Sequence, residues 1–336
     1  EAMHDLDWGG VIGAASVSVE RCVNKGSMTI NEQVTTANIG GVIGKLETNT
    51  DEAVKNQLVD CENSGHVNLK IVTSARIGGV AAVVEKNTAL VSECYNSGSI
   101  TYLGECVTHT QKGNTGNTVL HLGGVVGVCW SDKAENCGNK STGVIDVRGS
   151  LSGNHVDQVS AENVSGIAGV FGARLGTQAS LKTTEPTVTR NCQNEGNVTT
   201  AYTYCGNGHV VASGCVGIVD SDKVEGCSNS GKVYVETTIA MESAKPTATS
   251  SMNAIYVSAI VGYVKSACDI VQCDNSGKVE FDNGDVRTIY ISAINSLCKA
   301  KINVENCSNS GAVKSGCNNN SGNTAHKGHT NVGGVV

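Results

Sequence analysis

The sequence predicts an all-β fold, a parallel β-solenoid (β-helix) of about eight to nine irregular coils with loop insertions, and three observations predict it. A box Cys-x-Asn-x-Gly-x-aliphatic recurs along the chain. A second box, Gly-Gly-Val-aliphatic-Gly, alternates strictly with the first. Polar and apolar residues also alternate around the boxes, as in "HVNLKIV" and "KVYVETTI". Period-two alternation marks strands, and fixed boxes at uneven spacing mark stacked coils that tolerate loops of different length.

The first box begins at Cys22, Cys61, Cys94, Cys192, Cys227, Cys273 and Cys307, with an expanded copy, "CGNKSTGVI", at Cys137. Its Asn is never missing: Asn24, Asn63, Asn96, Asn139, Asn194, Asn229, Asn275 and Asn309. Three residues before the Cys there is usually an aliphatic, as at Val19, Leu58, Val91, Val224, Ile270 and Val304. Successive Cys are 39, 33, 43, 55, 35, 46 and 34 residues apart. The second box is clear at residues 9, 40 and 123 and weaker at 78. It is degraded to "SGIAG" at 165, "SGCVG" at 213, "SAIVG" at 258 and "SAINS" at 292, and a last copy starts at the C-terminal "VGGVV". The stretches 101–120, 147–163, 173–188 and 236–252 read as excursions from the coil.

Composition agrees with many short strands and tight turns: 41 Gly, two Pro and 4% aromatic residues in 336 leave too little aromatic volume for one large globular core. Residues 1–336 are therefore expected to form a single β-solenoid segment. Because a repeat box stands at each end, that segment is expected to belong to a longer repeat protein. The net charge of −7 comes without a basic cluster, which argues against nucleic acid as a partner. No run approaches the roughly 18 apolar residues of a spanning helix, so no direct membrane insertion is expected of this segment. The opening "EAMHDLDWGGVIG" lacks the regions of a signal peptide.

In a parallel solenoid each coil lies about 4.8 Å above the last, so equivalent residues form ladders along the axis. An Asn at a bend can bond backbone and the next Asn. The Gly two residues later is expected to supply positive φ at the turn, and the Gly and Ser of the second box to allow close backbone packing. In-register Cys on parallel strands keep their Cβ atoms near the strand spacing, beyond the ~3.5–4.5 Å a disulfide prefers, so a ladder of buried free thiols is expected. The other seven are Cys106, Cys129, Cys205, Cys215, Cys268, Cys298 and Cys317, with Cys205 and Cys215 the first pair to consider for a local bridge.

"CENSGHV…IGGVAAV" and "CYNSGSI…LGGVVGV" resemble the GLUG-like repeats of large surface proteins of anaerobic bacteria and some protists, over essentially the whole chain. The resemblance implies a β-solenoid displayed outside the cell in adhesive or structural stalks. It assigns no catalytic residue. Departures concentrate after residue 250, where the double Gly is lost.

Enzymatic chemistry has few footholds. Asp220 with Asp222, and Asp282 with Asp285, are the carboxylate pairs a polysaccharide-cleaving β-helix would need, but each lies by a turn, where Asp serves routinely. His326 and His329 are two imidazoles without a third metal ligand. The glycine-rich calcium repeat, the nucleophile elbow and the phosphate loop are missing. Asn139, Asn163, Asn197, Asn306 and Asn319 fit the N-glycosylation pattern. Trp8, Trp130, Tyr202, Tyr204, Tyr256, Tyr263 and Tyr290 could stack on sugars, although packing is the more ordinary role of large aromatics. The expectation is a non-enzymatic extracellular structural or adhesive protein, a cell-surface stalk or filament component without cofactors. Its partners would be neighbouring repeats or subunits stacked end to end. The alternatives are a glycan- or host-protein-binding module using the long loops and a carbohydrate-active β-helix enzyme.

Overall fold

A computed structural model describes residues 6–31, 36–51, 53–71, 74–86, 88–108, 120–153, 164–176, 186–204, 209–239, 254–282, 288–316 and 329–333. These residues form five parallel sheets, one of nine strands and four of eight, and no helix. The first coil shows the pattern: Leu6–Gly9, Ile12–Ala15, Val19–Glu20, Val23–Asn24 and Met28–Ile30 each begin one sheet, here numbered first to fifth in that order. Each of the next seven coils adds one strand to every sheet, and His329–Gly333 adds a ninth to the first. The chain is thus a parallel β-solenoid.

The alternation read in "HVNLKIV" is the alternation of its side chains: Val67 and Leu69 are buried, while His66, Asn68 and Lys70 face water. Equivalent residues stack in register, for example Met28, Val67, Ile100, Ile145 and Val198. The first sheet is buried on both faces. Ile39, Ile77, Leu122 and Ile167 pack in one cluster with Leu69, Ile100 and Ile145 of the fifth sheet. Side chains of opposite parity, Val211 and Tyr256, pack with Ile218 and Tyr263 of the second sheet. The last Gly of the second box makes this possible, since a Cβ on Gly172 would lie 2.6 Å from the Leu122 nitrogen.

The turn chemistry differs from the expectation. The Gly of the first box is not where φ turns positive. That conformation falls on the residue just before the Cys: Arg21, Asp60, Glu93, Asn136, Asn191, Gln272 and Asn306 have φ of 52–55°, and Gly226 has φ 62°. One left-handed residue per coil turns the corner from the third sheet to the fourth and points the Cys inward. The box Gly is needed for space: a Cβ on Gly98 would lie 2.0 Å from the Gly65 carbonyl oxygen and 3.0 Å from the Asn63 amide nitrogen.

Left-handed backbone costs an ordinary residue about 1–2 kcal/mol, and Gly loses back roughly 0.5–1 kcal/mol of that as chain entropy. The exposed Gln272 occupies the site that Gly226 fills one coil earlier. Gln272→Gly is expected to stabilise the fold by about 0.5–1 kcal/mol, read as a raised urea midpoint at unchanged slope.

Two alignments also change. Gly123 pairs with Ala168, so the fifth copy of the second box is "AGVFG" at 168 rather than "SGIAG" at 165. Both strings have small residues at their first and last positions, and only strand pairing separates them. The excursions start later than expected. Ile100–Thr108 and Ile145–Gly153 pair over nine residues, and Val198–Tyr204 and Val233–Ile239 over seven, so 101–108, 147–153 and 236–239 belong to a widened fifth sheet. Phe171–Leu175 and Val188–Arg190 likewise place the ends of 173–188 in the second and third sheets. The remaining parts of these stretches lie largely outside the described residues.

Candidate functional site

The most regular chemistry in the molecule is an amide ladder inside the bend of the first box. Asn24 Nδ2 donates to Asn63 Oδ1 at 2.8 Å, and the same bond repeats from Asn63 to Asn96, Asn139, Asn194, Asn229, Asn275 and Asn309 at 2.8–3.0 Å. The second proton of each amide goes to the carbonyl of the box Gly, as from Asn63 to Gly65 at 2.9 Å and from Asn229 to Gly231 at 2.9 Å. Asn63, Asn96 and Asn139 are wholly buried. The two boxes meet here: a Cβ on Gly41, Gly79 or Gly214, the second Gly of its box, would lie 2.3–2.5 Å from the side chain of Asn63, Asn96 or Asn229. Alternation of boxes in sequence is therefore contact across the coil.

The Cys of the first box form a second ladder beside it. Each thiol reaches the carbonyl two residues back, as Cys94 Sγ to Ser92 O at 3.3 Å, and several reach the previous coil, as Cys94 Sγ to Leu58 O at 3.6 Å. Cys22, Cys61, Cys94, Cys137, Cys192, Cys227, Cys273 and Cys307 are free thiols, as are Cys129, Cys215, Cys268 and Cys298. Cys205 and Cys317, and the side chain of Cys106, lie outside the described residues. Burial pushes Cys137, Cys192 and Cys215 well above the ordinary thiol range, and takes Cys268 up to about 12. The hydrogen bond from Cys227 to Cys192 raises Cys227, and contact with Cys227 followed by burial raises Cys273. For Cys94 the bond with Cys137 pulls downward, but contact with Cys61 and burial outweigh it. Cys61 alone goes the other way, held down by its bond with Cys94. Thiols kept protonated are poor nucleophiles.

One buried residue was not anticipated. Arg174 stands in the second-sheet ladder where Leu46, Val84 and Cys129 stand in other coils, and it is wholly buried. Its guanidinium donates to the carbonyls of Ser131 (2.5 Å), Asp132 (3.2 Å), Cys129 (3.3 Å) and Leu175 (3.3 Å), and to Thr189 Oγ1 (3.2 Å). Thr189 takes the place three before Cys192 that is usually aliphatic. The two departures from the repeat explain each other.

Two of the four candidate acids have partners. Asp220 pairs with Lys265 at 2.8 Å, and Asp222 accepts from the Thr187 amide at 2.7 Å and hydroxyl at 3.0 Å. Asp282 ends a strand of the fifth sheet. Asp285 and His326 lie outside the described residues, as do Asn163 and Asn319. His329 begins the last strand of the first sheet. Among the described residues no group of three or more His, Cys, Asp or Glu could hold a metal. Asn139 is buried in the ladder and closed to glycosylation. Tyr256 and Tyr263 are buried with ring centroids 6.3 Å apart, and Tyr290 stacks on Tyr256 at 5.3 Å. Trp130 is partly buried against the same cluster, and Trp8 is 41% exposed.

Outside the core, one notch of about 470 Å³ opens on the fourth sheet, lined by Glu93, Tyr95, Asn136, Lys140, Asn191 and Gln193 with Cys137 at its base. Tyr95, Gly138 and Gln193 are consecutive rungs of one outward ladder. Lys140 Nζ lies 4.5 Å from the Tyr95 ring centroid.

Comparison with protein-family models, with curated protein sequences and with solved structures finds no match for the chain.

Proposed function

We propose that this chain is a segment of a non-enzymatic, extracellular structural or adhesive repeat protein, a spacer in a cell-surface stalk or filament whose neighbours stack end to end along the coil axis. The observation that carries the proposal is the unbroken amide ladder. Every coil from Asn24 to Asn309 is joined to the next by a side-chain bond, buried in all but the last rung, as well as by the backbone bonds of five sheets. Stability in such a stack comes from nearest-neighbour contacts, so coils can be added to lengthen it without redesign. Loops of different length leave the sheets without breaking their pairing, which suits a rod that must carry changing surfaces.

The experiment is immunogold labelling of the native cells with antibodies raised against this segment. Label on intact cells, on rods or filaments, is the expected result. Label that appears only after the cells are opened would overturn the extracellular assignment.

A further inference from the structure

The notch on the fourth sheet coincides with two departures from the repeat, and they need a reason other than the fold. Every other rung of its outward ladder carries a side chain, from Val23 and Glu62 through Ser228 and Asp274 to Ser308, but the fourth rung is Gly138. The same copy of the first box is the expanded one, with Ser141 and Thr142 inserted before its Gly. Neither change is required by the amide ladder, because Asn139 bonds Asn194 and the Gly143 carbonyl as its neighbours do. A Cβ on Gly138 would meet the Tyr95 ring at 3.3 Å and the Gln193 carbonyl at 3.4 Å. The missing side chain is what lets the Tyr95 ring lean across the rung and the notch open.

Around this gap the lining has a particular chemistry. The half-buried Tyr95 offers a flat ring. Asn136, Asn191 and Gln193 offer three amides that donate and accept at once, Glu93 accepts, and Lys140 donates. Glu93, Asn136 and Asn191 are the left-handed corner residues of three successive coils, so their side chains are aimed by backbone geometry and spaced by the coil rise. A strongly anionic ligand would meet the Glu93 carboxylate, and an apolar one would strand the amides. A sugar ring meets both demands, with C–H bonds on its face and hydroxyls on its rim that donate and accept together.

We propose that this notch is a saccharide-binding subsite, in which the face of a pyranose unit of a glycan lies against Tyr95 above Gly138. Its hydroxyls bond the amides of Asn136, Asn191 and Gln193 and the carboxylate of Glu93. Lys140 now covers the ring by a cation–π contact and moves aside to donate to a ring hydroxyl. The volume falls within the range of about 300–1,000 Å³ usual for small-ligand sites. The site is open and shallow, so single disaccharides bind weakly and a long glycan gains by contacting several coils. The assignment does not depend on whether the solenoid is a stalk.

The test is saturation-transfer NMR with neutral, N-acetylated and uronic disaccharides at millimolar concentration, on the wild-type chain and on Tyr95→Ala, Gly138→Gln and Ser228→Ala. Circular dichroism melting serves as the fold control. At least one disaccharide is expected to receive transfer on one face of its ring. That signal should fall at least tenfold in Tyr95→Ala and in Gly138→Gln, which fills the notch with the side chain of the next rung, and persist in Ser228→Ala. If Gly138→Gln fails to fold, Tyr95→Ala decides. No transfer to any member of the panel, or transfer unchanged by Tyr95→Ala, would overturn the proposal while leaving the structural role untouched.

Discussion

The folded chain is expected to come apart in mild alkali, between about pH 8.5 and 10. Cys94, Cys137, Cys192, Cys215, Cys227, Cys268 and Cys273 are buried thiols whose pKa is raised in the folded state. A thiol freed by unfolding titrates near 8.5. A raised folded pKa means that stability is fully present below the unfolded value and is lost as pH climbs above it, because the unfolded chain releases protons that the folded chain keeps. Each such thiol costs about 1.4 kcal/mol per pH unit in that window. Several such thiols acting together draw on the roughly 5–15 kcal/mol that holds an ordinary domain. Cys61, lowered by its bond with Cys94, acts in the opposite direction. Tyrosine titrates from about pH 10 upward, so loss below that pH belongs to the thiols. The check is circular dichroism melting from pH 7 to 10.5 in the absence of oxidant, with thiolate absorbance followed in parallel. A flat melting temperature to pH 7.5–8, then a steep fall with thiolate appearing only on unfolding, is the expected course. Gradual thiolate formation in a folded chain through pH 10 would mean that the ladder is open to water.

Removal of Arg174 is expected to be among the most damaging single substitutions. Its side chain is wholly buried with no carboxylate partner among the described residues, and carbonyl dipoles from two coils surround the charge. Arg174→Met keeps the stem and deletes the fork. The carbonyls of Cys129, Ser131 and Leu175 and the Thr189 hydroxyl then lose a donor, at about 1–3 kcal/mol for each group left unsatisfied. Strand pairing and relaxation compensate some of these, and a net loss of about 3–5 kcal/mol is expected. Arg174→Lys recovers little, since one ammonium cannot span acceptors arranged for a planar fork. The double variant Arg174→Leu with Thr189→Val restores the aliphatic pair found in other coils and should regain most of the loss. Urea unfolding of the three variants reads the comparison directly.

Much of the solenoid is legible in the sequence, because the boxes repeat wherever space repeats. Strand alternation gave the faces, box order gave the coil order, and an Asn that never varies pointed to a site where its amide is used. What escaped shares a cause. The left-handed corner carries Arg, Asp, Glu, Asn, Gln or Gly, and no common side chain announces a conformation that packing imposes on all of them. The Gly of the first box looked like a turn residue, yet its role is to let one coil lie against the next at Gly65, Gly98 and Gly231. "SGIAG" and "AGVFG" overlap in one small-residue stretch, and choosing between them requires knowing which residue pairs with Gly123. Arg174 and Thr189 are each an ordinary polar residue in sequence and become a clamp only when the second and third sheets close on them. The Gly138 notch was hidden because a missing side chain draws attention only once its ladder has been aligned.

The most direct measurement of the central claim, that the invariant Asn form one buried hydrogen-bonded ladder, compares urea unfolding of Asn229→Ala with that of Asn303→Ala. Asn229 donates to the Gly231 carbonyl and to Asn275 Oδ1 at 2.9 Å each, accepts from Asn194 Nδ2 at 2.8 Å, and is 1% exposed. Asn303 is exposed, and its side chain donates to Glu305 at 2.8 Å. Alanine at 229 takes the side-chain donor from the Gly231 carbonyl and one of two bonds each from Asn194 Nδ2 and Asn275 Oδ1, which keep the Gly196 carbonyl and the Gly277 amide, and is expected to cost about 1–3 kcal/mol, with a lowered midpoint at unchanged slope. Alanine at 303 should stay within about 0.5 kcal/mol of the parent chain, as surface substitutions usually do. Equal midpoints for the two variants would contradict the ladder.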